Sequence, residues 1–265
     1  MLSYQEHYRQ YLGYNPKQTG NLIVCHSSIR DKLETQRKPL LLSFLNRQQV
    51  VISASTDLLG KVRRMAVTLS RKKMAPAAWF KRVDDLIYNE FKLYQIDHYI
   101  RMTIGQNDII KLKKCDQDVR ALGLADKKTI FGKGPLLQRG KKSQDHFWEQ
   151  NKRYIKEGRC FGLVRNGQIL SRAAVEPIEC GGGNIAVATE ANHRKKGYGK
   201  MVVSAAVNWC FEHDILPIYY VKSDNVASIA LARSLGFKLK NKEIIVSHWP
   251  GDAWNKYKVN DQMQN

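Results

Sequence analysis

Asn184-Ile-Ala-Val-Ala-Thr-Glu-Ala-Asn-His-Arg-Lys-Lys-Gly-Tyr-Gly-Lys-Met-Val-Val-Ser-Ala-Ala-Val-Asn-Trp209 reads as a strand, a tight basic loop and a helix. Ile185, Val187 and Thr189 alternate with the small Ala186 and Ala188, which is the period of a strand. Arg194, Lys195 and Lys196 bring positive charge. Gly197 and Gly199 allow a sharp turn and close approach to a ligand. A helix is predicted from about Gly199. Lys200, Ser204, Asn208 and Glu212 recur every fourth position as one narrow polar stripe, and the Met, Val, Ala, Trp, Cys and Phe between them predict a mostly buried helix. The first turn of a helix carries unpaired N–H groups and the positive end of the dipole, so a glycine- and lysine-rich loop in front of it suits phosphate oxygens. The plainer alternative is a helix-entry turn without a ligand, and a lone Gly-x-Gly does not separate the two.

The flanks do more. Pro217 precedes a second strand, Ile218–Val221, which leads into Asp224-Asn225-Val226-Ala227-Ser228 and a helix through Leu235. Asn225 is a good N-cap, Ser228 lies in the first turn, and Gly236 is a good C-terminal stop. With these pieces in place the sequence resembles the GNAT superfamily of N-acetyltransferases. Arg194-Lys195-Lys196-Gly197-Tyr198-Gly199 matches the family's acyl-CoA motif, Gln/Arg-x-x-Gly-x-Gly/Ala. Val187-Ala188-Thr189 matches the strand before it, and Asn225-x-x-Ser228 with Leu235-Gly236-Phe237 matches the helix and strand that follow. The match is dense over residues 160–240. Its wording is similar to a bacterial branch that includes antibiotic-acetylating enzymes.

The resemblance implies direct transfer of an acetyl group from acetyl-CoA, a cosubstrate, to a primary amine, with no metal. Backbone groups of Val187, Ala188 and Thr189 would pair with the pantetheine arm as if it were an extra strand. Backbone N–H groups of Lys195, Lys196, Gly197, Tyr198, Gly199 and Lys200 would hold the pyrophosphate, with Arg194 and the lysines adding charge. Asn225 and Ser228 would contact the arm from the next loop; a plain helix cap is the alternative for Asn225. Transfer needs a neutral amine, hence a base or a water chain, and help for the developing oxyanion, which a strand N–H can give. Many relatives carry a Tyr as acid four residues before the Gly of Gly-Phe, where this chain has Ala232. Many also carry a Glu on the strand where this chain has Asn184. Glu176, at the end of the neighbouring strand, is the candidate base; Glu190 and His193 are placed nearer the phosphates or solvent.

Three readings follow from the resemblance. The first is acetylation of a small amine, such as an antibiotic or metabolite. The second is acetylation of a macromolecule, a protein amine or charged tRNA. The third is a non-catalytic acyl-CoA sensor, which Ala232 and Asn184 keep open.

The chain has 265 residues, 43% hydrophobic and 26% charged, the composition of a soluble globular protein. No stretch has the length of a membrane span and Met1–His7 has no signal pattern, so a cytoplasmic protein is expected. The cysteines, Cys25, Cys115, Cys160, Cys180 and Cys210, are widely spaced and read as reduced, buried thiols rather than a zinc site. The net charge is +20, from 44 Lys+Arg against 24 Asp+Glu. Coenzyme A is a polyanion and accounts for part of the excess. The rest fits a solvated surface or an acidic substrate, and charge alone is a weak argument for nucleic acid. A monomer or homodimer is expected.

Elsewhere the sequence predicts a helix over 1–12 with Tyr4, Tyr8 and Tyr11 on one side, and a strand at Leu22–Cys25. It predicts a hairpin of Leu40–Leu45 and Val50–Ser53, a helix over Asp57–Leu69 capped by Thr56, and a helix from Pro76 to Phe91. A strand is expected at Tyr99–Ile104, with a break at Gly105-Gln106-Asn107. Ile109–Leu112 resembles the first strand of a GNAT domain, with Asp116 as the next cap. Residues 126–142 read as a Lys- and Gly-rich connection. Ser143 would cap a helix over Gln144–Lys156, and Asn166-Gly167 joins strands Cys160–Arg165 and Gln168–Val175 as a hairpin. Glu176–Gly183 reads as a connection, and Ile244–Ser247 as the last strand. The fold class expected is α/β, more closely α+β: a GNAT fold with a mixed, mostly antiparallel sheet flanked by helices, and a smaller α/β N-terminal domain. The boundaries are 1–105 for an N-terminal α/β domain, open to reading as a degenerate GNAT-like half although the motifs do not recur there, 106–250 for the acetyltransferase domain, and 251–265 for a polar tail.

Overall fold

The computed structural model describes residues 1–32, 37–45, 49–70, 94–108, 118–130 and 141–248. In chain order the elements are α1 (Tyr4–Leu12), β1 (Leu22–His26), α2 (Ser28–Asp31), β2 (Arg37–Phe44), β3 (Val50–Ala54), α3 (Thr56–Ser70) and β4 (Tyr94–Thr103), then β5 (Val119–Ala121), α4 (Lys127–Ile130), α5 (Lys141–Lys156), β6 (Cys160–Arg165), β7 (Gln168–Glu179), β8 (Gly182–Thr189), α6 (Tyr198–Glu212), β9 (Leu216–Lys222), α7 (Val226–Ser234) and β10 (Lys238–His248). The architecture is mixed α+β, with parallel pairs β1–β3 and β8–β9 among antiparallel ones.

The chain divides into two compact units, one of residues 1–4, 102–221 and 225–239, the other of 5–101, 222–224 and 240–265. In the second, N-terminal unit the strand order is β1-β3-β2-β10-β4. Its core joins Leu40, Leu42, Ile52 and Ala54 of the strands with Leu58, Val62 and Met65 of α3 and Ile244 and Val246 of β10. Residues 244–246, which the sequence reading groups with the acetyltransferase domain, pair here with β2, Ile244 opposite Leu42 and Val246 opposite Leu40. A buried ion pair lies beside that ladder: Arg101 Nε donates to Glu243 Oε1 at 2.6 Å, and the Tyr8 hydroxyl donates to the same oxygen at 2.8 Å. Such a pair tolerates burial because its polar atoms are satisfied by one another.

In the C-terminal unit the order is β9-β8-β7-β6-β5. Asn166 and Gly167 both have positive φ, 49° and 70°, as a two-residue hairpin turn between β6 and β7 requires. The stretch 176–183, expected as a connection, is instead a second hairpin. Strand β7 runs on to Glu179, the turn is made by Cys180 and Gly181 at φ 50° and 73°, and β8 starts at Gly182. Gly183 is required by packing, since a Cβ there would stand 2.5 Å from Val175 Cγ1. Helix α5 begins at Lys141, so Ser143 lies inside the helix and not at its cap. Strand β5 has three residues, too few for any periodicity to announce it. A core of Leu122, Trp148, Ile155, Cys160 and Ala174 sits under α5, and α6 buries Val202, Val203, Ala206, Val207 and Cys210. The expected helix over 76–91, the strand at 109–112, the cap at Asp116 and the tail 251–265 lie outside the described residues.

Candidate functional site

Strand β8 is held on one side by β7, from Ser171 opposite Thr189 to Val175 opposite Ile185. On its other side the parallel pairing with β9 covers only Gly182 with Leu216, Gly183 with Pro217 and Asn184 with Ile218. The Leu216 N–H donates to the Gly181 carbonyl at 2.9 Å. That bond sets the parity, so odd-numbered residues of β8 turn their N–H and C=O toward β9. From the Ile185 carbonyl to Thr189 these groups face an edge that no strand covers among the described residues. The residues singled out in sequence, Val187, Ala188 and Thr189, lie on this open stretch, with Val187 and Thr189 presenting backbone to the opening and Ala188 presenting backbone to β7.

The opening narrows at a bulge. Between Val175/Ile185 and Ile178/Gly183 the register shifts, so Glu176 and Pro177 together face Asn184. Pro177 has no N–H to give a ladder, and a bulge is where a strand tolerates it. Bulges re-aim side chains, and here Glu176 Oε2 accepts from Asn184 Nδ2 at 2.9 Å. Buried Arg159 braces the bulge from behind, donating through Nη1 to the carbonyls of Val175 at 2.6 Å and Glu176 at 2.8 Å. Its guanidinium also lies 4.6 Å over the Tyr154 ring. Burial raises the Tyr154 hydroxyl above the usual tyrosine range, the Glu176 charge adds to the rise, and Arg159 opposes it.

At its far end the open edge runs into the basic loop. Ala191–His193 form one turn of 3-10 helix, Lys195 is left-handed at φ 60°, and Gly197 is the N-cap of α6 at φ 83°. Lys200 and Met201 return their N–H groups to the Gly197 carbonyl at 3.0 and 3.3 Å. The backbone N–H groups of residues 195–199 find no acceptor among the described residues. A Cβ on Gly197 would meet nothing within 4 Å, so the space in front of these groups is open. At Gly199 a Cβ would come within 3.3 Å of Leu231 and of Thr189 Oγ1, so this glycine serves close packing of α6 against β8 and α7. Arg194, Lys195 and Lys196 are exposed, and Lys200 is half-buried. Arg165 donates from Nη1 to the Tyr198 hydroxyl at 3.0 Å, and the His193 ring stacks on Tyr198 at 6.1 Å between centroids. An acyl-CoA pyrophosphate therefore has unpaired donors, room and positive charge at this loop, and the residues fit it.

The next strand–helix junction is arranged otherwise. Asn225 Oδ1 accepts from the Ser228 N–H at 3.1 Å, the N-cap bond of α7. The Ser228 and Tyr219 hydroxyls share a hydrogen bond of 2.7 Å. Both side chains named from the sequence at this junction are thus engaged inside the chain. Glu190 gives its N–H to the Leu170 carbonyl at 3.0 Å and lies close enough to Arg172 to act on its charge. Neither Glu190 nor His193 joins the Glu176–Asn184 pair.

Sequence reasoning missed several neighbours. Asn184 reads as the loss of a carboxylate, yet its amide lies opposite the bulge and bonds Glu176 and Tyr220. Arg159 gives no motif. Tyr219 reads only as part of the strand Ile218–Val221, and its hydroxyl reaches Ser228 because β9 and α7 meet. Cys25 and Cys210 are buried thiols pushed up to about 12, and Cys160 is also raised by burial, so these thiols stay protonated and are poor nucleophiles. Among the described residues, no three His, Cys, Asp or Glu side chains gather as a metal ion would need. No helix among them is long and apolar enough to cross a membrane.

The sequence model of the GNAT acetyltransferases matches residues 48–245, most of the chain. The chain belongs to the GNAT acetyltransferase family. No protein of curated function matches it. Among solved structures, a GNAT-family acetyltransferase from Colwellia psychrerythraea is 11% identical with a TM-score of 0.48, over 63% of this chain and 62% of that one. A putative GNAT acetyltransferase from Novosphingobium aromaticivorans is 15% identical with a TM-score of 0.45, over 59% and 66%. A GCN5-related N-acetyltransferase from Sphaerobacter thermophilus is 14% identical with a TM-score of 0.48, over 79% and 75%. The match thus spans less than two thirds of the first two structures' own lengths. The opened strand β8 with its basic glycine loop is where the family's acyl-CoA motif falls.

Proposed function

We propose that the protein is an N-acetyltransferase that moves an acetyl group from acetyl-CoA to a primary amine of a small molecule. The observation that carries the reading is the open edge of β8, running from the Glu176–Asn184 pair into the unpaired N–H groups of residues 195–199. Acetyl-CoA would bring a thioester whose carbonyl carbon takes the amine lone pair with release of the CoA thiol.

The chain's own residues then divide the work. Backbone N–H and C=O groups of Val187 and Thr189 bind the pantetheine arm as a neighbouring strand would. The N–H groups of the 195–199 loop, with Arg194, Lys195, Lys196 and Lys200, hold the pyrophosphate. That direction of binding brings the acetyl end to the bulge. An N–H on the β8 edge donates to the carbonyl oxygen as negative charge grows there. Glu176 takes the amine proton. Asn184 occupies Oε2, and Oε1 has no partner among the described residues, so it is available for that proton. Cys25, Cys160 and Cys210 are buried and protonated, which argues against them as acyl carriers, whereas Cys180 is only half-buried.

The net charge of +20 favours a second reading, in which the acceptor is acidic or macromolecular. An acceptor screen with mass-spectrometric detection of the added acetyl group tests both. Transfer to small amines at rates insensitive to salt supports the first, and transfer only to protein or RNA-linked amines, lost steeply with salt, supports the second. Binding of acetyl-CoA with no acceptor-dependent release of CoA contradicts catalysis altogether.

A further inference from the structure

In a parallel ladder of the β8–β9 register, the β9 donors toward β8 come from every second residue. Leu216 gives its N–H to the Gly181 carbonyl, and Ile218 stands opposite Asn184. The next donor in that series is the Tyr220 N–H, and the next carbonyl on β8 belongs to Ile185. The Tyr220 N–H goes instead to Asn184 Oδ1, at 3.1 Å. The same amide gives Nδ2 to Glu176 Oε2 at 2.9 Å. One side chain therefore replaces a rung of the ladder with its oxygen and holds the bulge carboxylate with its nitrogen. Because a backbone N–H can only donate, the oxygen must face Tyr220, so the nitrogen must face Glu176.

We propose that Asn184 is the positioning residue of this site, its amide ending the β8–β9 ladder and orienting the Glu176 carboxylate at the apex of the opening. The proposal rests on the reading of Glu176 as base, and it explains why an amide serves at this place. A carboxylate at 184 would still accept from Tyr220 but would set like charges face to face across the bulge. The other groups facing Glu176 are Tyr154 of α5, Arg159 with its partner Glu157 ahead of β6, and Arg172 of β7. Substitution at 184 leaves all of them in place.

The experiment compares Asn184→Asp, Asn184→Ala and Glu176→Gln in the full chain, with the pH profile of kcat/KM and amide hydrogen exchange as readouts. Asn184→Asp should move the acidic limb upward by about one pH unit, a fall approaching tenfold on the acidic side of the limb that is recovered at higher pH. Glu176→Gln should abolish that limb, and Asn184→Asp added to it should produce no further shift. Exchange at the Tyr220 amide should quicken about tenfold or more in Asn184→Ala and stay near wild type in Asn184→Asp, because only the first loses the acceptor. An unmoved limb in Asn184→Asp, or an equal shift in both backgrounds, overturns the proposal. Unchanged Tyr220 exchange in Asn184→Ala overturns its ladder-ending half. Failure of the base reading looks different: Glu176→Gln alone would keep the wild-type rate and limb.

Discussion

Helices α6 and α7 each follow a strand of the opened pair β8–β9, and their first turns are built in opposite ways. At α7 the chain satisfies itself: Asn225 caps the Ser228 N–H, and the Ser228 hydroxyl is tied to Tyr219. At α6 the N-cap is Gly197, which has no side chain to offer, and the N–H groups of 195–199 have no acceptor among the described residues. A helix end without partners is costly unless water or a ligand supplies them. The α7 entry is therefore satisfied within the chain. The α6 entry also holds the strained, left-handed Lys195 and three neighbouring basic side chains, and we propose it as the anion-binding junction.

Substitutions that fill the open junction should be felt most. Gly197→Glu puts a carboxylate at the proposed pyrophosphate position, and acetyl-CoA affinity should fall by more than about a hundredfold, roughly 3 kcal/mol. The fold should survive because a Cβ there meets nothing within 4 Å. Gly197→Ala is the control. It carries only the left-handed penalty, about 1 kcal/mol of stability, and calorimetry should show affinity within about fivefold of wild type. A hundredfold loss in Gly197→Ala would mean that backbone strain, not occupancy, explains the glutamate.

Glu176→Gln touches neither helix entry and should separate binding from chemistry. Turnover should drop about a hundredfold, the lower range for a general base, with acetyl-CoA affinity unchanged. Wild-type turnover across pH 6–9, roughly the range in which such a base matters, would leave proton removal to water.

At the closed junction, Asn225→Ala should cost about 1 kcal/mol of unfolding free energy, the usual worth of a cap, and leave acetyl-CoA affinity within about threefold. Denaturant titration and calorimetry on one preparation decide it. A large loss of affinity at constant stability would make Asn225 a ligand contact and collapse the contrast with Gly197. The smallest effect is expected for Lys195→Gly. Relief of φ 60° should add about 0.5–1 kcal/mol of stability, while loss of one exposed charge weakens acetyl-CoA binding a few-fold at low salt.

The same contrast shows what was legible beforehand. The β8–loop–α6 unit announces itself because alternation, paired glycines and a four-residue polar repeat occur in succession, each with a local physical cause. Asn166-Gly167 is equally plain, since both residues favour positive φ. Cys180-Gly181 makes the same kind of turn, but cysteine is an unusual left-handed residue, so Glu176–Gly183 reads as a connection when it is two strands and a bulge. Asn184 was legible only as a missing carboxylate. Its value depends on Tyr220, 36 positions away, and on a register fault created by Pro177. The Arg101–Glu243 pair joins residues 142 apart, and no local pattern connects them. Short-range geometry is written into the sequence, whereas pairs made by the meeting of distant strands are not.

The most direct test follows backbone amide shifts of the 15N-labelled protein as acetyl-CoA is added. The account predicts the largest changes at residues 195–199, smaller ones along 185–189 where the arm would lie, and little change at 226–228. Large shifts at 226–228 with 195–199 unmoved would contradict it, and the open and closed junctions would have to exchange roles.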